Sequence, residues 1–246
     1  MTGAPVEEAK PRGRSDRPRD AATLIIVDSS GGQPRILMGR RHPNQVFLPD
    51  KYVFPGGRSE FSDRSVPTVS ELGEQHLTRL LFDMKGVPSR RRARAIALTA
   101  VRETYEETGI LVGHDGAGGG EPLALPAKAD PAWQAFFAHG VCPALAPMTF
   151  LARAITPPGR PRRYDTRFFW VEARHIAKRT PPKDDELRDI DWFTIDELRG
   201  LDIPNITRAV VEDLAEHLSA APEARKHWPV PFYFFTSGAF ERQLVR

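Results

Sequence analysis

Arg102-Glu103-Thr104-Tyr105-Glu106-Glu107-Thr108-Gly109-Ile110 sets three carboxylates within five residues. On a helix turning about 100° per residue, Glu106 falls about 60° to one side of Glu103 and Glu107 about 40° to the other, so the three acids share one stripe. Leu98, Val101 and Tyr105 form an apolar stripe on the opposite face. Like charges three and four residues apart cost a helix a few tenths of a kcal/mol each. No lysine or arginine follows closely enough within the helix to offset them, and the helix dipole disfavours acids in the C-terminal half. Two readings remain open: a solvated acidic helix end, or a site for a divalent cation. Ser89 can cap the start of this helix and Gly109 can take the left-handed conformation that ends it.

Upstream lies Phe54-Pro55-Gly56-Gly57, after a predicted strand ending near Val53. The two glycines allow backbone to approach a phosphate where a side chain would collide. Together the two segments resemble a Nudix box, whose pattern is Gly, five residues, Glu, seven residues, then Arg-Glu-apolar-x-Glu-Glu-x-Gly-apolar. Gly57 opens the box, and Arg102, Glu103, Glu106, Glu107, Gly109 and Ile110 match its second half. Asp63 stands where the family has Glu, and Thr104 replaces an apolar residue. Between Asp63 and Arg102 lie 38 residues where the pattern has seven, an insertion of 31. Its Leu72, His76, Leu77, Leu80, Leu81 and Met84 recur at helical spacing, which predicts one helix within Val69 to Met84 and then a turn at Gly86-Val87-Pro88. A box split in this way is similar to that of the peroxisomal coenzyme A diphosphatase branch. Leu48 to Val53 and Arg162 to Phe169 add to the likeness, which spans roughly residues 22 to 215.

The resemblance implies an α/β fold with a mixed sheet between helices, and metal-dependent hydrolysis of a nucleoside-diphosphate-linked substrate. Coenzyme A or its thioesters lead; ADP-ribose, NADH and dinucleotide polyphosphates are the alternatives, and a non-catalytic nucleotide sensor is the reading from another class. Hard oxygen ligands suit Mg²⁺ or Mn²⁺. Glu103, Glu106 and Glu107 are the implied metal ligands, with Glu103 or Glu186 as the base that orients water and Asp185 as a second loop candidate. Arg102 points about 100° away from Glu103 and is expected to brace a carboxylate, and Asp63 to hold the loop onto the helix. Gly56, Gly57, Arg41 and Arg163 are candidates for the substrate, with Arg40 and His42 beside Arg41. Family members are often dimers, so a homodimer is an expectation of the same kind.

The 246 residues suffice for a single domain. The formal net charge of +3 does not argue for nucleic acid. Arg90, Arg91, Arg92 and Arg94 cluster before the glutamate helix, and Arg153, Arg160, Arg162, Arg163 and Arg167 around one hairpin; surface solvation is the reading for most of them. A lone Cys142 excludes an internal disulfide and argues against structural zinc. No stretch has the apolar length of a membrane span or the centre of a secretory signal, so a cytoplasmic location is the default expectation.

Residues 1 to 20 read as a flexible tail ahead of a single domain over 21 to 246, with the helical insertion at about 64 to 92. A hairpin of Thr23 to Val27 and Arg35 to Gly39 follows. After a glycine-rich loop at Gly113 to Gly120, Asp130-Pro131 starts a short helix whose Trp133, Phe136 and Phe137 read as core. Phe150 to Ile155 and Thr166 to Val171 are expected strands, joined by a proline-rich turn at the rim of the cleft. Pro204-Asn205-Ile206-Thr207 leads into a helix to Leu218 with Val210, Val211, Leu214 and Leu218 inward. The aromatic stretch from Trp228 to Phe235 either covers the core or meets a partner chain.

Overall fold

A computed structural model describes residues 17–45, 48–116, 125, 129–160 and 162–246. Most of the N-terminal tail lies outside the described residues, as do residues 117–120 of the glycine-rich loop expected from Gly113, whose first three residues instead end a strand, Ile110–Asp115.

Ten residues, buried almost continuously from Ala21 to Val27, open the fold as β1 (Arg19–Asp28). Leu24 and Ile26 point into one core while Ile25 and Val27 point into another, the period-two division of a strand buried on both faces. β1 begins within the segment read as tail, because Arg19 and Asp20 already pair with Tyr164 and Asp165. β2 (Arg35–Arg41) returns antiparallel, and the short β3 (Tyr52–Val53) and β4 (Gly56–Arg58) pair with β2 and β1.

The insertion is less helical than its spacing predicts. A 3-10 turn at Ser62–Ser65 is followed by extended chain, and α1 spans only Glu74–Leu81. Hydrogen bonds explain the difference: Val69 N–H donates to Pro143 O, and Ser70 O accepts from Leu145 N–H, so this stretch pairs with another segment before Gly73 lets α1 start. The glutamate helix α2 (Arg90–Thr108) is as expected, with Ser89 Oγ accepting from Arg92 N–H and Gly109 left-handed at φ 70°.

The remaining elements are β5 (Ile110–Asp115), α3 (Pro131–Ala138), β6 (Val141–Pro143), β7 (Thr149–Ile155), β8 (Tyr164–Glu172), β9 (Ile176–Arg179), β10 (Leu187–Thr194), α4 (Ile195–Gly200), α5 (Asn205–Ser219), α6 (Pro222–Lys226), β11 (Val230–Thr236) and β12 (Ala239–Val245). The main sheet runs β10-β2-β1-β8-β7-β11-β12, with β1 parallel to β8 and β7 parallel to β11 and its other pairs antiparallel; β6-β5-β9 form a smaller sheet. α1, α2 and α3 pack one core and α4 and α5 the other, so a mixed sheet lies between helices. Val230 and Phe232 of the C-terminal aromatic stretch are buried in the first core. No helix among the described residues is long and apolar enough to cross a membrane.

Two arginines of the β7–β8 hairpin correct the surface reading. Arg153 and Arg167 are buried, Arg167 completely. Arg153 donates to both oxygens of Asp165 at 2.8 and 2.7 Å, and Arg167 reaches Asp20 at 2.9 Å. The buried Asp165 and the part-buried Asp20 bring these cations inside, as burial of charge requires.

Candidate active site

The box is assembled around one guanidinium. Arg102 Nε donates to Asp63 Oδ1 at 3.0 Å, and Arg102 NH1 donates to Glu103 Oε1 at 2.9 Å and to Glu106 Oε2 at 2.6 Å. Arg102 NH2 donates to the carbonyl of Arg58 at 2.9 Å, which ties the helix to the strand after the glycines. The cation that offsets the acid stripe thus precedes it in the helix. Asp63 is fully buried and also accepts from Thr99 Oγ1, Trp133 Nε1 and the Glu60 amide. An Asp in place of Glu therefore still pins the loop to the helix across the insertion.

Gly57 backs onto Glu103: a Cβ at Gly57 would stand 2.6 Å from Glu103 Cδ. The Gly56 amide donates to Glu107 Oε2 at 2.8 Å, so this N–H is committed to a carboxylate. Glu107 is 2% exposed. Its carboxyl is pushed well above the ordinary range by burial and then by the charge of Glu103. Burial raises Glu103 to about 7 despite Arg102, with Glu106 and Asp63 adding to the rise. Glu106 is raised too, again by burial first.

Among the described residues no three acids are drawn together tightly enough to grip an ion as they stand. The donor set nonetheless fits a hard divalent cation. Arg102 and Gly56 take one oxygen from each glutamate, which leaves Glu103 Oε2, Glu106 Oε1 and Glu107 Oε1 without a hydrogen-bond donor among the described residues. Three crowded carboxylates whose ionised forms are penalised by burial are what a divalent cation would relieve.

The loop before β10 lies across the C-terminal end of α2. Lys183 and Asp184 amides donate to Glu106 O at 2.8 and 3.3 Å, and Asp184 adds negative charge near the Glu106 carboxylate. Glu186 is brought to the same side: its Oε2 lies 3.7 Å from Arg41 NH2, and its charge is felt at Glu107. Arg41 itself lowers the Glu107 carboxyl, and its buried Nε has no hydrogen-bond partner among the described residues. Asp185 sits farther out, 3.9 Å from His42 Nε2.

Arg163 is not gathered in. It donates to Thr156 O, next to Tyr164, which pairs with Arg19, whereas Gly57 pairs with Ala22. At about 3.3 Å per strand residue this puts Arg163 about 13 Å along the sheet from the level of Gly57, and the turn expected to rim the cleft lies at that same remote end. Spacing alone did not indicate Trp133, Asp184 or the Arg58 carbonyl. A buried acid in the box calls for donors, and the indole of Trp133, read only as core, was the available signal.

No family model matches the chain. A Nudix hydrolase from Alicyclobacillus acidocaldarius is similar to it over 81% of this chain and 91% of its own, with a TM-score of 0.58 and 27% identity. More distant are the Nudix domain of Shewanella oneidensis NrtR, solved with ADP ribose (83% and 90% covered, TM-score 0.44, 10% identity), and a MutT protein from Methanosarcina mazei (83% and 99%, 0.46, 13%). The chain has the Nudix fold and the make-up of a Nudix-type pyrophosphohydrolase.

Proposed function

We propose that this Nudix-fold enzyme hydrolyses the diphosphate of a nucleoside-diphosphate-linked substrate with Mg²⁺ or Mn²⁺ held by Glu103, Glu106 and Glu107, and that coenzyme A or its thioesters are the substrates to test first. The observation that carries the reading is the free oxygen on each of the three glutamates beside the Gly56-Gly57 backbone. A bound divalent ion supplies charge neutralisation on the phosphates and acidifies water.

The residues of the chain divide the remaining work. Arg102, locked to Asp63, fixes the spacing of Glu103 and Glu106. Arg41, with a buried unpaired Nε next to the acids, grips a phosphate oxygen of the substrate. Glu103 Oε2 or the half-exposed carboxylate of Glu186 takes the proton from the attacking water. The coenzyme A branch is supported by the split box and by the sequence around it. ADP-ribose, NADH and dinucleotide polyphosphates share the same scissile group.

The deciding experiment offers coenzyme A, ADP-ribose, NADH and diadenosine polyphosphates with each metal and identifies the products by mass. Release of phosphopantetheine and adenosine 3′,5′-bisphosphate supports the branch; another product pair replaces the substrate and keeps the chemistry. Glu106→Gln is expected to abolish turnover in either case. Binding with no turnover of any compound overturns the enzyme reading in favour of a sensor.

A further inference from the structure

A second cleft, of about 760 Å³, lies between β4, the 3-10 turn at Ser62–Ser65 and the start of α2. Five arginines line it, Arg19, Arg58, Arg64, Arg91 and Arg92, against two acids, Asp20 and Glu60. Arg92 pairs with Asp20 and Arg58 with Glu60. The other three have no carboxylate partner among the described residues. Arg91 is oriented by neutral acceptors, donating to Arg64 O at 3.2 Å and Ser65 Oγ at 3.0 Å, so its position is fixed while its charge is not cancelled. Arg64 lies over the ring of Phe61, 4.9 Å from its centroid. Phe61 is 73% exposed, a large aromatic face left open at the mouth of a charged cleft.

This excess matters because the whole chain carries only +3. Three uncompensated guanidiniums in one concavity repel one another, and planar, always-charged forks match phosphate oxygens better than any other common anion. An aromatic ring backed by a guanidinium is a stacking surface for a planar base. The volume falls in the range of small-ligand sites, about 300 to 1,000 Å³.

We propose that this cleft is a binding site for a phosphate-rich nucleotide, separate from the carboxylate centre. Arg91 and Glu103 lie on one helix, twelve residues apart, which at about 1.5 Å per residue is about 18 Å along the axis. The Arg58 end of the cleft adjoins Gly57, whereas the end formed by Arg19, Arg64 and Arg91 lies beyond the reach of a diphosphate group held at the glutamates. The inference goes beyond the hydrolytic reading and stands whichever diphosphate is cleaved.

ATP and inorganic tripolyphosphate are titrated calorimetrically into the full chain carrying Glu106→Gln, in chelator and at low salt. ATP binds, more tightly than tripolyphosphate, and its affinity falls steeply with added salt. Arg19→Glu, Arg64→Glu and Arg91→Glu each weaken ATP by at least about tenfold, and Phe61→Ala removes the preference for ATP over tripolyphosphate. Circular dichroism and melting confirm each variant is folded, and Arg19, exposed with no side-chain partner among the described residues, supplies the substitution least able to disturb the core. Failure of ATP to bind at millimolar concentration, or affinity unmoved by all three charge reversals, overturns the proposal. Much tighter binding of a single-stranded RNA than of ATP overturns it in favour of a nucleic-acid surface. Turnover kept at the parent rate by Arg19→Glu in an otherwise unchanged chain, while its ATP affinity falls, separates this site from the catalytic one; turnover and ATP affinity falling together overturn the separation.

Discussion

Trp133 Nε1 donates a 2.8 Å hydrogen bond to Asp63 Oδ1, the same oxygen that receives Arg102 Nε at 3.0 Å. A helix outside the box thereby fixes the acid that fixes the arginine that spaces the glutamates. Asp63→Asn leaves a buried guanidinium short of its counter-charge, a change worth about 3 to 5 kcal/mol in comparable buried pairs. Trp133→Phe removes one hydrogen bond to a charged group, about 1.5 to 3 kcal/mol, and adds the smaller cost of the space the fully buried indole leaves. Urea denaturation of both variants should rank them in that order; equal stability of Asp63→Asn and parent would show that Asp63 is not the anchor.

Gly57→Ala should separate activity from folding. The added methyl meets the Glu103 carboxyl at 2.6 Å, a contact that has to be relieved by moving either the strand or the acid. A displacement of about 1 Å at a catalytic group can cost roughly 100-fold in rate. The expected result is a kcat loss of that order with a melting temperature close to the parent, measured on the substrate identified by the screen. Full activity would mean that Glu103 tolerates displacement and is not a ligand or base.

Much of this was readable from residues alone, and the exceptions share a cause. The helix of the box, its Ser89 cap and its Gly109 stop follow from local spacing, as do the β1–β2 hairpin and the buried strands. Local spacing failed where a distant segment decides the conformation. The stretch from Val69 to Gly73 has helical periodicity yet bonds to Pro143 and Leu145. Arg153 and Arg167 look like surface residues until Asp165 and Asp20 meet them from neighbouring strands. At the site, the acids and their bracing arginine were legible, whereas Trp133 and Asp184 come from outside the box and needed the fold.

The Arg153–Asp165 pair supplies a third prediction. Arg153 also donates to Phe82 O and Asp83 O, so it ties the end of the insertion helix to β7. Asp165→Asn removes the charge that both Arg153 and Arg167 face, and should destabilise by about 3 to 5 kcal/mol. Limited proteolysis should then cut first within residues 66 to 88, since the insertion loses its anchor. A cut elsewhere, with the insertion intact, would assign the docking to the apolar side of α1 alone.

Glu107→Gln sets function against stability. The ionised carboxylate is disfavoured where it sits, and a Gln side chain can still accept the Gly56 amide through its oxygen. In chelator the variant should melt at or above the parent, while turnover with Mg²⁺ or Mn²⁺ falls by roughly 100-fold or more. Added metal should raise the melting temperature of the parent and much less that of the variant. Equal metal-induced shifts would remove Glu107 from the ligand set.

His217 makes the acid side of the stability curve predictable. It is buried between Trp170 and Trp228, and burial, then the charges of Arg225 and His76, lower its pKa from 6.5 to about 4. His76 is likewise lowered to about 4, by burial and Arg79. A base with a depressed folded pKa keeps its full contribution above pH 6.5 and loses it as pH falls toward 4, because the unfolded chain takes up the proton first. The full loss at pH 4 is on the order of 3 kcal/mol for one such histidine. Glu103 and Glu107, with raised pKa values, slope the other way as their folded forms resist ionisation, so the histidine effect is read as a difference between variants. Denaturant midpoints for parent and His217→Phe, taken in chelator from pH 8 to 4, should converge as the pH drops, the variant losing less stability than the parent. Parallel curves would show that His217 titrates near its ordinary value, and that its burial leaves water access to the ring.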